Sequence, residues 1–521
     1  MLRNNILLYL HPINKQAEDV LNDPENAFLL DRSGPTTRFA IGHFESKARN
    51  RTTLVTIGRL GDIVLRGTGY SREQCSFQID LDTHVIMFYD DSRGGTSSVM
   101  GPDSTPFRPG HSRKVVVQPN LNSIIGMGGE KRDLITFRIE WLYQPPKTME
   151  LVEKRDLKSL LQNPRFARTD SDNAKTVVPT MPQTRIHSTL PKRPMIRWAR
   201  IKLIGSGAFG QVLRAVDVDT GRLIAVKIVK IRQNQHKEAF FALLKREVEA
   251  IGRIEHPFVV DYICSNHSIN ATEAQVVMGL MKGSLHSLLD AKEVPWHYIN
   301  ETANTMLTHM LQALDCVASM GIVHRDVKPE NILYTYSPHN ELIFKLGDFG
   351  LCNQAALAQS TAGTFLYMAP EILSAAQGQT PKADIWSLFM VLIWMYDFQG
   401  FRNANPYKFN VQTLQELVRD ATAPEEYLEP LKEMGRPDPE KRASAAQMML
   451  KLGLFSRKPK AILCSHGKDP KRIPPMPVDV PTPGARTPKQ SIEKKPAVKK
   501  SASSDVKMTS ASRSFFGSRI M

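Results

Sequence analysis

The first pattern along the chain is a series of short apolar stretches between residues 35 and 142. TLVTIG, DIVL, CSFQID, HVIMFYD, KVVVQ and LITFRIEWLY each have the length of a strand, and Gly, Asp, Ser and Pro separate them. In the last stretch Ile135, Phe137 and Ile139 alternate with polar side chains, which is typical of a strand with one buried face. This region is predicted to be an all-β sandwich.

Between residues 197 and 456, strand patterns come first and strongly apolar helices follow. This order is typical of an α+β domain in which a small strand-rich lobe precedes a larger helical lobe. The longest apolar run, Ile385–Tyr396, has about 12 residues, whereas a membrane span needs roughly 20. It is predicted to be a buried core helix, and no contact with a membrane is expected.

The remaining three parts of this multidomain chain are predicted to be an arm, a linker and a tail. Residues 1–34 are predicted to be an N-terminal arm. Residues 143–196 begin with a charged piece that could be helical and become rich in Thr, Pro and basic residues, which is typical of a linker. Residues 457–521 hold nine prolines and the cluster KKPAVKK, and they are predicted to be a disordered tail.

The net charge of +16 belongs to the linker and the tail. Residues 455–521 hold 15 Lys and Arg against 4 Asp and Glu, and residues 145–196 hold 10 against 5, so the rest of the chain is neutral overall. This distribution argues against a folded domain with a broad basic face for nucleic acid. A protein tethered to nucleic acid by its tail is an alternative, although the tail lacks interleaved aromatic residues that stack on bases.

The cysteines and the N-terminus bear on the compartment. Five cysteines are scattered without a CxxC pair, and they are predicted to be reduced thiols that hold no metal. No secretory signal is evident in the first 20 residues. The protein is therefore expected in the nucleus, the cytoplasm or both, and KKPAVKK is interpreted as a nuclear-import signal or, alternatively, as a solvated charge run.

A glycine-rich motif opens the chemistry of the α+β domain. Gly205–Val212 reads GSGAFGQV and fits the pattern G-x-G-x-x-G-x-V, in which glycines let backbone amides approach phosphates. An isolated match would equally describe a hairpin turn. Lys227 follows in the β-branched stretch AVKIVK, and Glu247 lies on an amphipathic helical stretch. Lys227, paired with Glu247, is predicted to hold the α- and β-phosphates of ATP.

HRDVKPEN at His324–Asn331 is the most specific motif, because it places a carboxylate, a cation and an amide in one short loop. Asp326 is predicted to accept or orient the proton of the incoming hydroxyl, and Lys328 to neutralise the transferring phosphoryl group. Asn331 and Asp348, the latter in a DFG motif, are predicted to hold Mg²⁺.

In this ordered set of motifs, residues 197–456 resemble the eukaryotic protein kinase family. GTFLYMAPE, DIWS and PDPEKRAS extend the resemblance. It implies that Glu371 pairs with Arg442 and that Asp384 braces the catalytic loop. It also implies a nucleotide site formed by Ile204, Gly205, Gly207, Gly210, Val212, Ala225, Lys227, Met278 and Leu280.

The resemblance is to the serine/threonine branch of the family, through Lys328 in DVKPEN and Thr364 ahead of Tyr367. Ser284 stands where kinases that prefer basic residues before the target hydroxyl often have Glu, so a basophilic consensus is not expected. The alternative is a phosphopeptide-binding adaptor whose kinase domain is only a scaffold.

TIGRLGDIVL, YSREQCSFQI and DDSRGGTSS resemble the forkhead-associated domain, a β-sandwich that binds phosphothreonine. The resemblance implies that the phosphopeptide-binding residues are Arg59, Ser71, Arg72 and Thr96. Arginine suits such a site because it makes bidentate, charge-assisted bonds to phosphate. Gln74 stands where the family usually has His, and Gly94 where it usually has Asn. The alternative is a degenerate sandwich used for dimerisation or packing.

A forkhead-associated domain before a serine/threonine kinase resembles the fungal and animal checkpoint and meiotic kinases. This implies protein substrates, phosphothreonine-containing partners and a transient homodimer in which one kinase phosphorylates the other. The chain has no Ser-Gln or Thr-Gln dipeptide, which is the usual mark of their upstream activators. Arg325 precedes Asp326 and, once buried, needs an anion, so Ser360 and Thr361 are predicted phosphorylation sites. Alternatively, both are exposed loop hydroxyls.

Overall fold

The computed structural model describes residues 6–44, 46–48, 52–162, 196–207, 210–230, 251–266, 273–349, 364–374, 380–454 and 474–476. The chain divides into two compact units. The first comprises Met1–Ala242 and Tyr262–Leu280, and the second comprises Leu243–Asp261 and Met281–Met521. The division falls inside the predicted α+β domain, so the first strands of that domain belong to the same unit as the N-terminal sandwich.

The N-terminal part of the first unit, here called the β-domain, is built from two β-sheets. Its strands are β1 (Ile6–Pro12), β2 (Leu30–Asp31), β3 (Arg38–Gly42), β4 (Thr53–Gly58), β5 (Ile63–Val64), β6 (Cys75–Ile79), β7 (Ile86–Asp90), β8 (Ser97–Met100), β9 (Lys114–Val116), β10 (Ile124–Met127) and β11 (Ile135–Trp141). Helices α1 (Lys15–Leu21) and α2 (Pro145–Gln162) and a 3-10 segment (Pro24–Leu29) accompany them. The sheet orders are β2-β3-β1-β11-β10-β8 and β5-β4-β6-β7-β9. A β-domain is thereby confirmed, and its identity as a forkhead-associated domain stays a prediction.

Aromatic side chains from both sheets fill the interior of the β-domain. The ring centroids of Phe39 and Phe137, from one sheet, lie 5.8 Å apart, and those of Phe77 and Phe88, from the other, lie 5.4 Å apart. All four are fully buried and belong to one cluster. Burial of a phenylalanine side chain contributes about 1.5–3 kcal/mol, so these rings are a main attraction between the sheets.

Strand β1 lies in the middle of its sheet, between β3 and β11. Its side chains Leu8 and Leu10 are fully buried. Residues 6–31 therefore belong to the β-domain, which corrects the arm predicted over residues 1–34. The prediction failed because a short apolar run near a terminus finds its partner strands only in three dimensions.

Helix α2 forms the charged first part of the predicted linker. On its exposed side Glu150 pairs with Lys147 and Lys154, one turn away in each direction. On its other side Val152 is buried in the core of the β-domain. The rest of the linker, residues 163–195, lies outside the described residues.

The first unit also contains the sheet with which the α+β domain begins. Its strands are β12 (Trp198–Gly207), β13 (Gly210–Asp217), β14 (Leu223–Lys230), β15 (Tyr262–Asn266) and β16 (Glu273–Gly279). They follow the order β12-β13-β14-β16-β15, and every neighbouring pair is antiparallel. The strand-rich start of this domain agrees with the prediction.

The second unit is mainly helical. It contains the strands β17 (Gly283–Ser284), β18 (Ile332–Tyr336) and β19 (Leu342–Leu346), and the helices α3 (Leu285–Asp290), α4 (Ile299–Ser319), α5 (Pro370–Leu373), α6 (Lys382–Met395), α7 (Val411–Ala421) and α8 (Ala445–Lys451). Short 3-10 segments lie at Trp296–Tyr298, Thr364–Tyr367, Phe398–Asn403, Pro406–Lys408 and Glu429–Leu431. Every residue of α6 from Ala383 to Met395 is buried, which confirms the predicted core helix. Across the described ranges no helix is both long and apolar enough to span a bilayer.

Three residues of the predicted disordered tail, 474–476, are described, and two of them contact the second unit. The buried side chain of Gln447 on α8 donates Nε2–H to the carbonyl oxygens of Pro474 and Pro475, at 3.1 and 2.7 Å. The tail is therefore held at this point, which corrects the prediction of disorder for these residues. The basic, proline-rich composition of the tail gives no sign that the buried side chain of Gln447, elsewhere in the sequence, binds these prolines.

Because of His309 on α4, the second unit is expected to lose stability at acidic pH. Its Nδ1 accepts a hydrogen bond from the Phe344 N–H at 3.2 Å, and its ring stacks on Phe258 with centroids 3.9 Å apart. Burial lowers the pKa of His309 to about 4, from the usual 6.5. A lowered pKa means that the stabilisation is complete above pH 6.5 and is lost as the pH falls towards 4.

The variant His309→Asn keeps an acceptor but does not titrate in this range. Between pH 7 and pH 5 it should lose about 1–2 kcal/mol less of its free energy of unfolding than the wild type loses. Urea unfolding at pH 7, 6 and 5 measures the difference, with the exposed His111→Asn as the matched control. Parallel pH dependence of the wild type and His309→Asn would contradict the prediction.

Candidate functional site

The loop that carries HRDVKPEN connects α4 to β18, and Asp384 of helix α6 fixes it. The carboxylate of Asp384 accepts hydrogen bonds from the backbone N–H groups of His324 and Arg325, both at 2.8 Å. Burial raises the pKa of this carboxyl, while the neighbouring His324 and the two hydrogen bonds oppose the rise. The bracing contact that the kinase resemblance implies is therefore present.

His324 connects the loop to the segment that carries Asp348. Its Nε2 lies 3.0 Å from the carbonyl oxygen of Gly347, and its Nδ1 accepts a hydrogen bond from the Asp326 N–H at 3.3 Å. These partners require a neutral ring to carry its proton on Nε2. The ring of Phe349 packs on the ring of His324 with centroids 4.6 Å apart. The two motifs are thus joined by one buried side chain.

Asp326, Lys328, Asn331 and Thr364 form one hydrogen-bonded cluster. Asn331 Nδ2 donates to the backbone oxygen of Asp326 at 2.7 Å and to its Oδ2 at 2.8 Å. Lys328 Nζ lies 2.9 Å from Asp326 Oδ1, and it donates to Thr364 Oγ1 at 3.2 Å. The carboxylate is therefore held from two sides, and the structure brings these four predicted residues together.

Two residues of this region have a left-handed backbone. Arg325 has φ 67° and Asp348 has φ 53°. Such a conformation costs a non-glycine residue roughly 1–2 kcal/mol, and it persists where surrounding contacts impose it. Here the bonds to Asp384 and the packing of Phe349 impose it. Strain of this kind concentrates at functional sites, which marks both residues as candidates.

Arg442 and Glu371 form a buried ion pair, as the kinase resemblance implies. Arg442 has no exposed surface, and its Nη1 and Nη2 bind the two carboxylate oxygens of Glu371 at 2.7 and 2.9 Å. The remaining N–H groups of Arg442 bind the carbonyl oxygens of Arg436, Lys382 and Pro437. All five donors of the guanidinium are used, so the pair joins several separate segments.

In the first unit, five of the nine predicted nucleotide residues share one face of their sheet. Val212 lies opposite both Gly205 and Lys227, and Ala225 lies opposite Met278. Directly opposite residues of antiparallel strands point to the same side, as do residues two apart along a strand. The register therefore gathers these five residues on one face. Lys227 is 7% exposed there.

The turn between β12 and β13 requires glycine. Gly207 lies opposite Gly210, and Gly210 has φ 133°. A Cβ on Gly210 would lie 1.8 Å from the carbonyl oxygen of Ile228, so no other residue fits without moving the strand. Ile204 is exposed and Leu280 is half-buried, at the two ends of the predicted nucleotide set.

The oxygen ligands that Asn331 and Asp348 offer fit Mg²⁺. Both hydrogen bonds of the Asn331 side chain use its nitrogen, which leaves its amide oxygen as the atom that could bind a cation. Amide and carboxylate oxygens are hard ligands, and Mg²⁺ is commonly held by one or two such groups together with water and phosphate. The chemistry of this pair therefore matches the predicted metal.

Ser71 of the β-domain lies close to three arginines, each of which is carried by a different loop. The backbone N–H of Arg59 donates to the Ser71 carbonyl oxygen at 3.0 Å, and that of Arg93 donates to Ser71 Oγ at 3.4 Å. Arg72 is the next residue along the chain. All three arginines are exposed, and within the part of the chain that the structure describes none has an ion-pair partner. Sequence reasoning missed Arg93, although it lies within the quoted DDSRGGTSS motif.

Gln74 connects the loop that contains Ser71 to the loop that contains Thr96. Its Oε1 accepts from the Ser71 N–H at 3.0 Å, and its Nε2 donates to Thr96 Oγ1 at 2.7 Å and to Ser97 Oγ at 3.0 Å. The side chain is fully buried. An amide combines a donor and an acceptor as an imidazole does, so this departure from the forkhead-associated pattern retains a support for the loops. Ser71 and Thr96 are thus brought together.

Several predicted residues lie outside the described residues. These are Glu247, the proposed partner of Lys227, and the candidate phosphorylation sites Ser360 and Thr361. Their predicted roles stay predictions. Lys227 and Asp348 are described.

Comparison with known proteins identifies one part of the chain. Residues 198–452 match the model of the protein kinase domain. The β-domain lies outside this match.

Similar proteins are named as serine/threonine-protein kinases or as a mitogen-activated protein kinase kinase kinase. Serine/threonine-protein kinase DCLK2 of Mus musculus is 34% identical over 215 residues, which are 41% of this chain and 27% of the relative. Mitogen-activated protein kinase kinase kinase 2 of Arabidopsis thaliana is 33% identical over 222 residues, 40% of this chain and 32% of the relative. Serine/threonine-protein kinase SSK22 of Saccharomyces cerevisiae is 30% identical over 223 residues, 38% of this chain and 16% of the relative.

The chain thus matches less than a third of the length of each of these relatives. The matches agree with the ordered motifs and with the geometry of the loop around Asp326. The chain therefore contains a protein kinase domain, formed by residues 198–452.

Proposed function

We propose that this protein transfers the γ-phosphoryl group of ATP to serine and threonine side chains of other proteins. The observation that carries this proposal is the cluster in which Asn331 and Lys328 hold the carboxylate of Asp326, with Lys328 also bound to Thr364. A carboxylate held in this way can accept a proton from an alcohol at a defined place. The serine/threonine names of the relatives support the choice of substrate hydroxyl.

In the proposed reaction, the substrate hydroxyl loses its proton to Asp326 as its oxygen forms a bond to the γ-phosphorus. The bond between that phosphorus and the oxygen of the ADP leaving group breaks, and the electron pair leaves with ADP. Lys328 offsets the negative charge on the phosphoryl oxygens during the transfer. Asn331 keeps Asp326 in position, since it binds both the backbone and the side chain of that residue.

Lys227 and the glycine-rich turn supply the nucleotide contacts of the proposal. A buried ammonium on the same sheet face as Val212 and Ala225 is suited to the α- and β-phosphates. Asn331 and Asp348 would hold Mg²⁺, which neutralises phosphate charge when bound.

A phosphorylation assay with the full-length protein tests this function. The purified chain is incubated with Mg²⁺ and ATP labelled at the γ-phosphate, with myelin basic protein as the substrate, before and after treatment with a phosphatase. Label on serine or threonine is the expected result. No transfer to the substrate or to the protein itself under any of these conditions would refute it and favour the adaptor alternative.

A second function rests on the β-domain, which we propose binds phosphothreonine in partner proteins. The exposed Arg59, Arg72 and Arg93 next to Ser71, without ion-pair partners among the described residues, support it. Unpaired guanidinium groups beside a hydroxyl are suited to a phosphate. Such a domain would tether the kinase to a phosphorylated partner, or transiently to a second copy whose Ser360 or Thr361 it modifies, as in checkpoint signalling.

The variant Arg59→Ala is expected to weaken binding of phosphothreonine peptides about 10- to 100-fold, because a charge-assisted hydrogen bond contributes about 1.5–3 kcal/mol. Fluorescence anisotropy with peptides from a degenerate phosphothreonine library, and with their unphosphorylated forms, measures the loss. Arg138→Ala, an exposed arginine on strand β11 of the other sheet, is the matched control. Equal binding of phosphorylated and plain peptides by the wild type would show that the β-domain is a packing module.

A further inference from the structure

Within the first unit, the β-domain and the strands β12 and β13 share one hydrophobic core. The cluster contains Val115–Val117 of the β-domain together with Ala199, Ile201, Val216 and Val218. The backbone N–H of Val116 donates to the carbonyl oxygen of Val218 at 2.9 Å. The side chain of Gln118 donates to the carbonyl oxygen of Arg200 at 3.1 Å. We call this contact of residues 106–118 with residues 197–201 and 216–221 the seam.

Charged groups strengthen the seam. Arg197, directly before β12, forms an ion pair with Asp219 and donates Nη1–H to the carbonyl oxygen of Pro106 at 2.7 Å. Arg108 lies 3.7 Å from the same Asp219 carboxylate. The seam therefore combines apolar burial, hydrogen bonds and ion pairs.

The seam holds the hairpin β12–β13 at the end opposite its glycine-rich turn. Trp198 lies opposite Asp217 at the seam, and Gly207 lies opposite Gly210 at the turn. The eight paired positions span seven steps of roughly 3.3 Å, which place these ends about 23 Å apart. The β-domain is thus attached to the same two strands that carry the proposed phosphate-binding glycines.

Strand β7 reaches both the seam and the proposed phosphothreonine site. At the seam its residue Met87 lies so close to Gly221 that a Cβ on the glycine would come within 2.8 Å of the sulfur. At its C-terminal end β7 leads into the loop that contains Thr96. Strand β9, which supplies Val116 to the seam, pairs with β7 along its length.

Arg113 joins that loop to the seam by direct contacts. Its Nη2 donates to the carbonyl oxygens of Gly95 and Ser97, at 3.0 and 2.8 Å, on either side of Thr96. Its Nε binds the fully buried carboxylate of Asp90 at 2.5 Å. One residue later the chain enters β9. A single guanidinium therefore fixes the loop of the phosphate site to a strand of the seam.

We propose that Arg113 couples phosphothreonine binding on the β-domain to nucleotide binding on the hairpin β12–β13. This inference rests on the two functions proposed above. A phosphate bound beside Ser71 and Thr96 fixes the loop carbonyls that Arg113 holds, and the ordered β9 then fixes the base of the hairpin. Each ligand binds more tightly when the other is present, and linkage requires the two enhancements to be equal.

The test measures both affinities with the full-length protein by isothermal titration calorimetry. The ligands are ADP with Mg²⁺ and the tightest-binding phosphothreonine peptide from the degenerate library. We expect saturating peptide to lower the Kd of ADP about fivefold or more, and saturating ADP to lower the Kd of the peptide by the same factor.

Three variants locate the coupling. The coupling factor is the ratio of the Kd of one ligand without the other ligand to its Kd with the other ligand at saturation. Arg113→Lys keeps a cation near Asp90 but cannot bind both loop carbonyls, so it should reduce this factor to about one. Gln118→Met cuts a hydrogen bond of the seam without touching the phosphate loop, and it should reduce the coupling while peptide affinity stays unchanged. Arg38→Lys is the matched control, because Arg38 also pairs with an aspartate but lies in the other sheet, and it should keep the wild-type factor.

The outcomes separate this inference from the functions on which it depends. If the wild type binds both ligands with independent affinities, the coupling is refuted and the proposed functions stand. If it fails to bind the peptide or the nucleotide, the corresponding function falls and the coupling falls with it. If Arg113→Lys and Gln118→Met both keep the full factor, the coupling does not pass through Arg113 and the seam.

Discussion

Asparagine in place of Asp326 is expected to lower the rate of phosphoryl transfer about 10²- to 10⁴-fold while the fold is retained, since this is the usual contribution of a positioned general base. The amide oxygen can still accept the hydrogen bond of Asn331, so the loop keeps that support. The amide cannot accept the proton of a substrate hydroxyl. The substitution also removes the negative charge that faces Lys328. Initial rates at saturating ATP measure the effect.

The matched control is Asp290→Asn, the same change at an exposed position of the same unit, which should leave the rate unaltered. Thermal unfolding and ADP binding of the Asp326→Asn protein should stay close to wild type, because the proposed role of Asp326 is chemical. Turnover near the wild-type rate in Asp326→Asn would overturn the assignment of the catalytic base.

The variant Arg442→Met is expected to lower the free energy of unfolding of the second unit by about 3–5 kcal/mol, the usual cost of removing one partner of a buried ion pair. Glu371 would keep a charge with little exposure to water. The carbonyl oxygens of Arg436, Lys382 and Pro437 would lose a donor as well. Urea unfolding, with hydrogen exchange of helices α5 and α6 as the local readout, measures the loss.

The double variant Arg442→Met, Glu371→Leu should recover part of this loss, because an apolar pair leaves no isolated charge. Arg419→Met removes an exposed arginine next to Asp420 and should change the free energy of unfolding by less than about 0.5 kcal/mol. A loss of similar size in Arg442→Met and Arg419→Met would show that the buried pair does not stabilise this unit.

Local patterns predicted much of the fold because they follow from chain geometry. The alternation of Ile135, Phe137 and Ile139 fixes which face of β11 is buried, and α6 is apolar on every side because it is buried all round. Strand β1 was missed, since its pairing with β11 joins residues about 130 positions apart along the chain. No local periodicity identifies such a partner.

The arrangement of the loop around Asp326 could be predicted because its functional side chains lie within five residues of one another along the chain. Asn331 and Lys328 reach Asp326 within one loop. The contact from Asp384 to His324 spans 60 residues, and only the family resemblance indicated it. Gln74 and Arg113, in contrast, could not be predicted from the sequence. A glutamine and an arginine next to a strand have no distinctive signal, and their roles follow from partners about 20 residues away.

The central position of β1 also determines when the β-domain can fold during synthesis. Leu8 leaves the ribosome about 130 residues before Trp141, its partner on β11. At a synthesis rate of roughly 5–20 residues per second, the edge of β1 that pairs with β11 waits about 7–26 seconds for its partner strand, while β3 is available to the other edge much earlier. The six-stranded sheet therefore closes late, because one edge of β1 stays unpaired until β11 has been synthesised.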